Sequence, residues 1–361
     1  MQTVSTRTAR LALLAALILA TGALAGCAPA SATAASSWPG VAANDTTAYV
    51  AYGPAVYALN LENGQEVWHY PRDANRSISY YAPPVLTAEG DLIVGGYDKV
   101  VYRLNANGSE VWRFEGSGDR IIGSAALADT LVLVPSADYF LYALDLETGR
   151  LAWSFEAKSS LWAAPLVDGD RVYLASLDHL VYALQVSDGS LLWSQDLGAA
   201  MADTPVLVDG VLLVATFGAG LQALDAETGR ILWSVPTEGW VWGSPNAADG
   251  IAYFGDVAGY VYAVDLASQR ELWRIQPDGP VAETPALADG TLYFGTEAGS
   301  VYARQAASGT SVWEQPLTGK LYSDLLLRGD TLLVASLQGD AVLTALDAAS
   351  GVIRWSFTPA E

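Results

Sequence analysis

Few side chains in this chain of 361 residues could do chemistry, and their spacing decides which kind. There is one cysteine, Cys27, and there are two histidines, His69 and His179. The histidines fall in different segments with different strand contexts, so neither a Ser/His/Asp arrangement nor a metal-ligand spacing can be assembled around them. His179 follows Asp178 and reads as a solvated turn residue. The Asp-Gly pairs, such as Asp209-Gly210, do not resemble a calcium loop and are accounted for as hairpin turns. What remains is an aromatic set, Tyr81, Trp162, Trp242 and Tyr322, with the carboxylates Asp203, Glu283 and Asp324 beside it. Flat rings stack on sugars or cover an extended peptide, and carboxylates next to them attract a basic partner. This is the chemistry of recognition. No catalytic, cofactor-binding or metal-binding residue is assigned, and no cofactor is expected.

The elements that must position these residues are repeats. Leu141 to Trp153, LYALDLETGRLAW, recurs eight times, closing on Trp68, Trp112, Trp153, Trp193, Trp233, Trp273, Trp313 and Trp355. The period is about forty residues, which marks a stacked or radial array of one supersecondary unit. Within a unit LYALD and RLAW alternate in period two, as half-buried strands do, and Glu147-Thr148-Gly149 turns between them. Upstream, Ala164 to Val167 and Arg171 to Ala175 form two more strands around Asp168-Gly169-Asp170. Each period is therefore a four-stranded antiparallel meander, and the fold class is all-β: an eight-bladed β-propeller. An alanine stands ten residues before most of the tryptophans (Ala58, Ala143, Ala183, Ala223, Ala263, Ala303, Ala345), with glycine six residues after the alanine at Gly64, Gly149, Gly189, Gly229, Gly309 and Gly351. The methyl group is expected to leave room for an indole to dock, so the eight tryptophans are read as structural. Repeat two departs with Arg103, and repeat six with Gln269 in place of glycine.

In such an array the connections between blades and those between the two middle strands share one face, and loops on a rigid scaffold are where recognition usually resides. Aligned on the proline of the inner strand, Tyr81, Trp162, Ala202, Trp242 and Ala282 occupy one column, with Ile122 and Tyr322 as equivalents. The preceding residues, Ile121, Leu161, Met201, Val241, Val281 and Leu321, are apolar. Strand alternation predicts that one set lies between blades and the other toward the funnel. Two readings stand open: a discontinuous aromatic ring that binds, or rings that merely fill a tapering channel. The longest interblade connection, His69 to Ala82, carries Arg72, Asp73 and Arg76, which either meet a partner's carboxylate or pair with Asp73.

Residues 1–26 are read as a signal peptide: Arg7 and Arg10 give a positive start, and Leu11 to Ala20 a short apolar stretch. Leu24-Ala25-Gly26-Cys27 matches a bacterial lipobox, making Cys27 the lipid attachment site. Residues 27–37 form an Ala/Ser-rich tether, and 38–361 the propeller. The expected location is exported and lipid-anchored, on the cell membrane or the outer membrane, with no contact to the membrane except through that anchor. Ala28 after the cysteine favours the outer one where two exist. A net charge of −21, more negative once Arg7 and Arg10 are removed, repels phosphate backbones and excludes nucleic acid. It also suits solubility or a basic partner.

The pattern Ala-x-Asp-x-x-Thr-Gly-x-x-x-Trp, intact at Ala143 to Trp153 and Ala223 to Trp233, resembles the tryptophan-docking motif of the PQQ-type, quinoprotein-like propellers, over residues 38–361. A lipobox followed by eight such blades is similar to the BamB lipoproteins of outer-membrane barrel assembly. That resemblance implies a non-catalytic scaffold that docks an envelope protein or an extended peptide through loops on one face. The alternatives are a PQQ-dependent dehydrogenase-like enzyme, and a sensor for a cell-wall glycan, another sugar or a small ligand. The dehydrogenases of this superfamily use a vicinal disulfide, a calcium ion and an aspartate base; with Cys27 alone the disulfide cannot form.

Overall fold

The structure is a computed structural model that describes residues 38–73, 78–218 and 220–360. Among them every regular element is a strand, and the strands form eight four-stranded antiparallel sheets. Each sheet takes four consecutive strands, so chain order is blade order. Blade one is Gly40–Ala43, Thr47–Tyr52, Ala55–Asn60 and Glu66–Tyr70. Blade four, Leu166–Asp168, Arg171–Ala175, Leu180–Gln185 and Leu191–Asp196, shows the common pattern. Its two middle strands are buried on both faces, while the outer strand alternates between exposed and half-buried residues.

That burial follows from how the sheets stack. Each apolar cluster joins adjacent blades: Tyr173, Val181 and Ala183 of blade four pack with Leu212, Val214 and Leu224 of blade five. The core is therefore a ring of layers between sheets, each needing two blades to exclude water. The turn between first and second strands explains the Asp-Gly signal. Asp209 has φ +49° and Gly210 φ +79°, the two left-handed residues of a tight hairpin.

The tryptophans bind one blade to the next, in a way that corrects the expected role of the alanine. Ala143 is the cross-strand partner of Trp153 in its own blade. The receiving surface is the glycine of the next blade. A Cβ at Gly189 would fall 2.4 Å from the Trp153 ring, and one at Gly229 2.5 Å from that of Trp193. Both glycines have φ above +70°, a second reason for glycine there. The indole Nε1 completes the dock by donating to a carbonyl of the same turn, as Trp153 does to Val186 at 2.9 Å. Trp68, Trp112, Trp193, Trp273, Trp313 and Trp355 repeat the bond. Trp233 has no such bond among the described residues. At the equivalent turn position of the next blade stands Gln269, held at φ +61°, where the other seams have glycine.

Blade eight meets blade one in the same manner. Trp355 lies over Gly64, 2.5 Å from a Cβ there, and donates to the Leu61 carbonyl at 2.9 Å. Ser323 Oγ to the Pro39 carbonyl (2.6 Å) and Arg328 Nε to the Ala43 carbonyl (2.9 Å) add to this seam. No strand is exchanged between the first and last blades.

Candidate functional site: the mouth and throat of the channel

The inner strands begin at the channel mouth, and their register decides what lines it. Ala42 pairs with Tyr49 as Leu166 pairs with Tyr173, which places Trp38 level with Trp162. Trp38 is thus the blade-one member of the aromatic column. Blade one has Val41 at the position where blades two, four, five, six and seven carry the aligning proline, so an alignment on that proline does not reach Trp38. The alternation expected for the column holds. Ile121, Leu161, Met201, Val241, Val281 and Leu321 are at most 1 % exposed, between blades, whereas Trp162, Trp242 and Tyr322 are half-buried at the channel.

The rings do not form an even circle. Tyr81 is buried, packed on Tyr52 and on Tyr97 (centroids 5.3 Å apart), and serves the core. Trp162 stands apart from the other column rings. The remaining members gather on one side. Trp38 meets Trp242 edge-on at 5.8 Å and Tyr322 at 5.2 Å. Phe217, from a middle-strand connection of blade five, lies 4.8 Å from Trp242 and stacks on Trp240 at 5.7 Å. Trp240 is 54 % exposed, a large cost for an indole with no role in packing. Neither Phe217 nor Trp240 lies in the repeat column, so only the folded loops bring them in.

One and two residues further along the inner strands stand the carboxylates. Asp203 accepts from the amides of Thr204 (2.7 Å) and, in the next blade, Ser244 (2.9 Å). Asp324 accepts from the Thr284 amide of the preceding blade at 2.8 Å. Thr284 Oγ1 reaches Asp203 at 3.5 Å, so one polar belt links blades five to eight. Gly243 within this belt has no room for a side chain: a Cβ would sit 2.4 Å from the Glu283 backbone. Glu283 is 1 % exposed; its Oε1 accepts from the Gly295 amide at 2.7 Å, while Oε2 is buried with no partner.

Burial pushes the Glu283 carboxyl well above the usual carboxylate range, with the charge of Asp324 adding to it. Burial and then Asp324 raise Asp203 to about 7. Asp324 is raised too, by desolvation, although its side chain is open to water. Both hold for a group on the wall of a narrow channel: protein crowds it from the sides while solvent touches its tip. The throat is thus a one-sided acidic arc whose carboxyls are held above the usual carboxylate range.

The other candidates lie elsewhere. Arg72 is exposed and makes no ion pair among the described residues, Asp73 included; its carbonyl is 3.1 Å from His69 Nε2. The His69 pKa is raised by its hydrogen bond to Glu66 at 2.7 Å. Arg76 and Cys27 lie outside the described residues. His179 takes φ +75° in a turn built on Asp178, which accepts from the amides of Lys158 and Leu180 and from the Tyr182 hydroxyl. Among the described residues no three His, Cys, Asp or Glu side chains are placed to hold a metal ion. A quinone with its calcium ion finds no matching donor set in the throat, whose carboxyls are engaged by backbone amides and drawn toward the protonated state.

Fold and seams together define an eight-bladed propeller of the tryptophan-docked, PQQ-like class. The model of the family described as outer membrane protein assembly factor BamB matches residues 12–121, 98–203, 178–259 and 257–361, and the chain belongs to that family. No curated protein matches the sequence. Among solved structures it is similar to BamB from Moraxella catarrhalis, at 20 % identity and a TM-score of 0.70, over 84 % of this chain and 92 % of that one. The computationally designed Ika8 protein matches at 16 % identity and a TM-score of 0.74, over 86 % and 96 %. A europium-containing methanol dehydrogenase matches at 16 % identity and a TM-score of 0.70, over 84 % and 83 %. At these identities the three likenesses speak to the fold, which a BamB, a designed protein and a dehydrogenase share.

Proposed function

We infer that this chain is a non-catalytic scaffold of the cell envelope, a lipoprotein whose propeller docks another protein through the mouth face. In this reading residues 1–26 direct export, Cys27 carries the lipid, residues 27–37 are the tether, and the ring from residue 38 onward presents the docking surface. Family membership supports the role in assembling outer-membrane proteins. The carrying observation is the exposed Trp240, stacked on the half-buried Phe217 beside Trp242, a surface that costs solubility unless something covers it. No helix of the described residues is long and apolar enough to cross a membrane, so in this reading the anchor rests on the lipid.

The test is site-specific photocrosslinking in the source cells, with the reactive group at position 240 or 322 and a control at Leu272 on an outer strand. A defined envelope protein should be captured from the mouth positions and not from the rim. Absence of any adduct from the mouth would remove the scaffold reading. Dye reduction by the purified protein after adding PQQ and calcium would replace it with the dehydrogenase. For the anchor, Cys27→Ser should move the protein from the membrane fraction to the soluble one.

A further inference from the structure

The chemistry of the mouth narrows what it can receive. We propose that the aromatic mouth and the acidic throat together take a basic side chain, arginine or lysine, presented on an extended segment of the partner protein. This rests on the scaffold reading above and specifies its ligand.

Cations already sit on rings of this face. Lys320 Nζ lies 5.7 Å over Tyr322 and 3.2 Å from its hydroxyl, and the Arg120 guanidinium lies 5.5 Å over Tyr97, which in turn packs on Tyr81. The stacked pair Phe217–Trp240 has no such cation among the described residues, although Trp240 is more than half exposed. An indole face is the best of the side-chain rings for holding an ammonium or guanidinium.

Charge at the next level down is one-sided. The residues following the column are Pro39, Ala82, Gly123 and Ala163 on blades one to four, and Asp203, Gly243, Glu283 and Ser323 on blades five to eight, with Asp324 next to the last. No lysine or arginine of the described residues pairs with Asp203, Glu283 or Asp324; the nearby Lys320 is directed to Glu297 at 3.9 Å. Glu283 is closed off from solvent, so the carboxylates open to a ligand are Asp203 and Asp324. Rings above and carboxylates below suit one shape of ligand: an apolar stem along the indoles with a cationic head at the acids. A sugar would use the rings and leave the charge unmatched. A bare metal ion would use the charge without the rings.

The experiment pans a displayed library of random decapeptides against the intact protein, then titrates the recovered peptides by calorimetry. Recovered sequences should share an arginine or lysine. Replacing it by citrulline or norleucine should weaken binding at least about tenfold, as should Trp240→Ala and Asp203→Asn in the protein, with melting temperatures within a few degrees of the parent. Binding should also release protons, since a cation favours the ionised carboxylates. Peptides without enriched basic residues, or affinities indifferent to citrulline and to both variants, would overturn the proposal. So would spermidine binding with the same variant sensitivity while no peptide is selected, which would make the occupant a free polyamine. If the peptides fail while the mouth still crosslinks to an envelope protein, only the basic ligand is lost; if both fail, the scaffold falls with it.

Discussion

The seams between blades and the mouth of the channel use the same residue, tryptophan, to opposite ends. At a seam the indole lies over a glycine of the next blade and gives its one proton to a carbonyl there. At the mouth Trp240 has a neighbouring ring on one side and water on the other. The seam is satisfied within the molecule, whereas the mouth is left incomplete. What separates them is repetition: a seam residue recurs every blade because every blade must be joined, while the mouth differs from blade to blade because one ligand needs one arrangement.

The sharpest way to break this contrast is at a seam. Trp193→Ala should cost about 2–4 kcal/mol, somewhat less than for a fully enclosed indole because the ring is half-buried. Gly229→Ala, which puts a methyl group 2.5 Å from that ring at φ +73°, should cost a similar amount. Chemical denaturation reads both, and a change below about 0.5 kcal/mol would mean that the seams are not what holds the ring.

Next in size is the throat, and its sign is set by proton linkage. Asp203 and Glu283 have pKa values raised in the folded state, so the native protein binds protons that the unfolded chain has released. Their contribution is full below about pH 4, the unfolded value, and is lost as the pH rises through about 7 for Asp203. Asp203→Asn and Glu283→Gln should therefore stabilise the protein at pH 8, by about 1–2 kcal/mol after allowance for channel water, and should flatten the melting temperature between pH 4 and pH 8 relative to the parent. A variant curve parallel to the parent's across that range would place these carboxyls in ordinary solvent.

Gln269→Gly tests the exception among the seams. It relieves a left-handed glutamine and opens the seat for Trp233, and should add about 1 kcal/mol of stability. Trp240→Ala is the smallest effect: unfolding should shift by no more than about 0.5 kcal/mol, since the ring is largely in water. A larger loss would make it one more packing residue and dissolve the contrast.

How much could be read beforehand follows the same division. The period and the count of blades were legible because each is stated in every copy, and the Asp-Gly hairpins because four blades repeat them, so noise in one copy is corrected by the others. The alanine's partner is not legible in the sequence, because spacing alone does not say whether residues ten apart face each other within a sheet or across a seam; the register of Ala143 with Trp153 settles it. Column alternation predicted the half-buried Trp162, Trp242 and Tyr322, yet Tyr81 turned inward onto Tyr97 because repeat two packs more tyrosines there. Phe217 and Trp240 lie outside the repeated column, and Trp38, though in it, lacks the proline that marks the column in five other blades. The sequence places three carboxylates beside the column; the cross-blade hydrogen bonds of Asp203 and Asp324 depend on curvature that no linear pattern records.

The junction of Trp355 with Gly64 has a consequence for how the molecule is made. Since no strand crosses from the last sheet into the first, the opening sheet waits with a vacant seat through nearly all of synthesis, and one late indole locks the circle. A circularly permuted gene cut between the fifth and sixth sheets would move that wait to the poorest lock, where Gln269 stands. Its slower closure would show how much of assembly depends on a single tight fit at the finish.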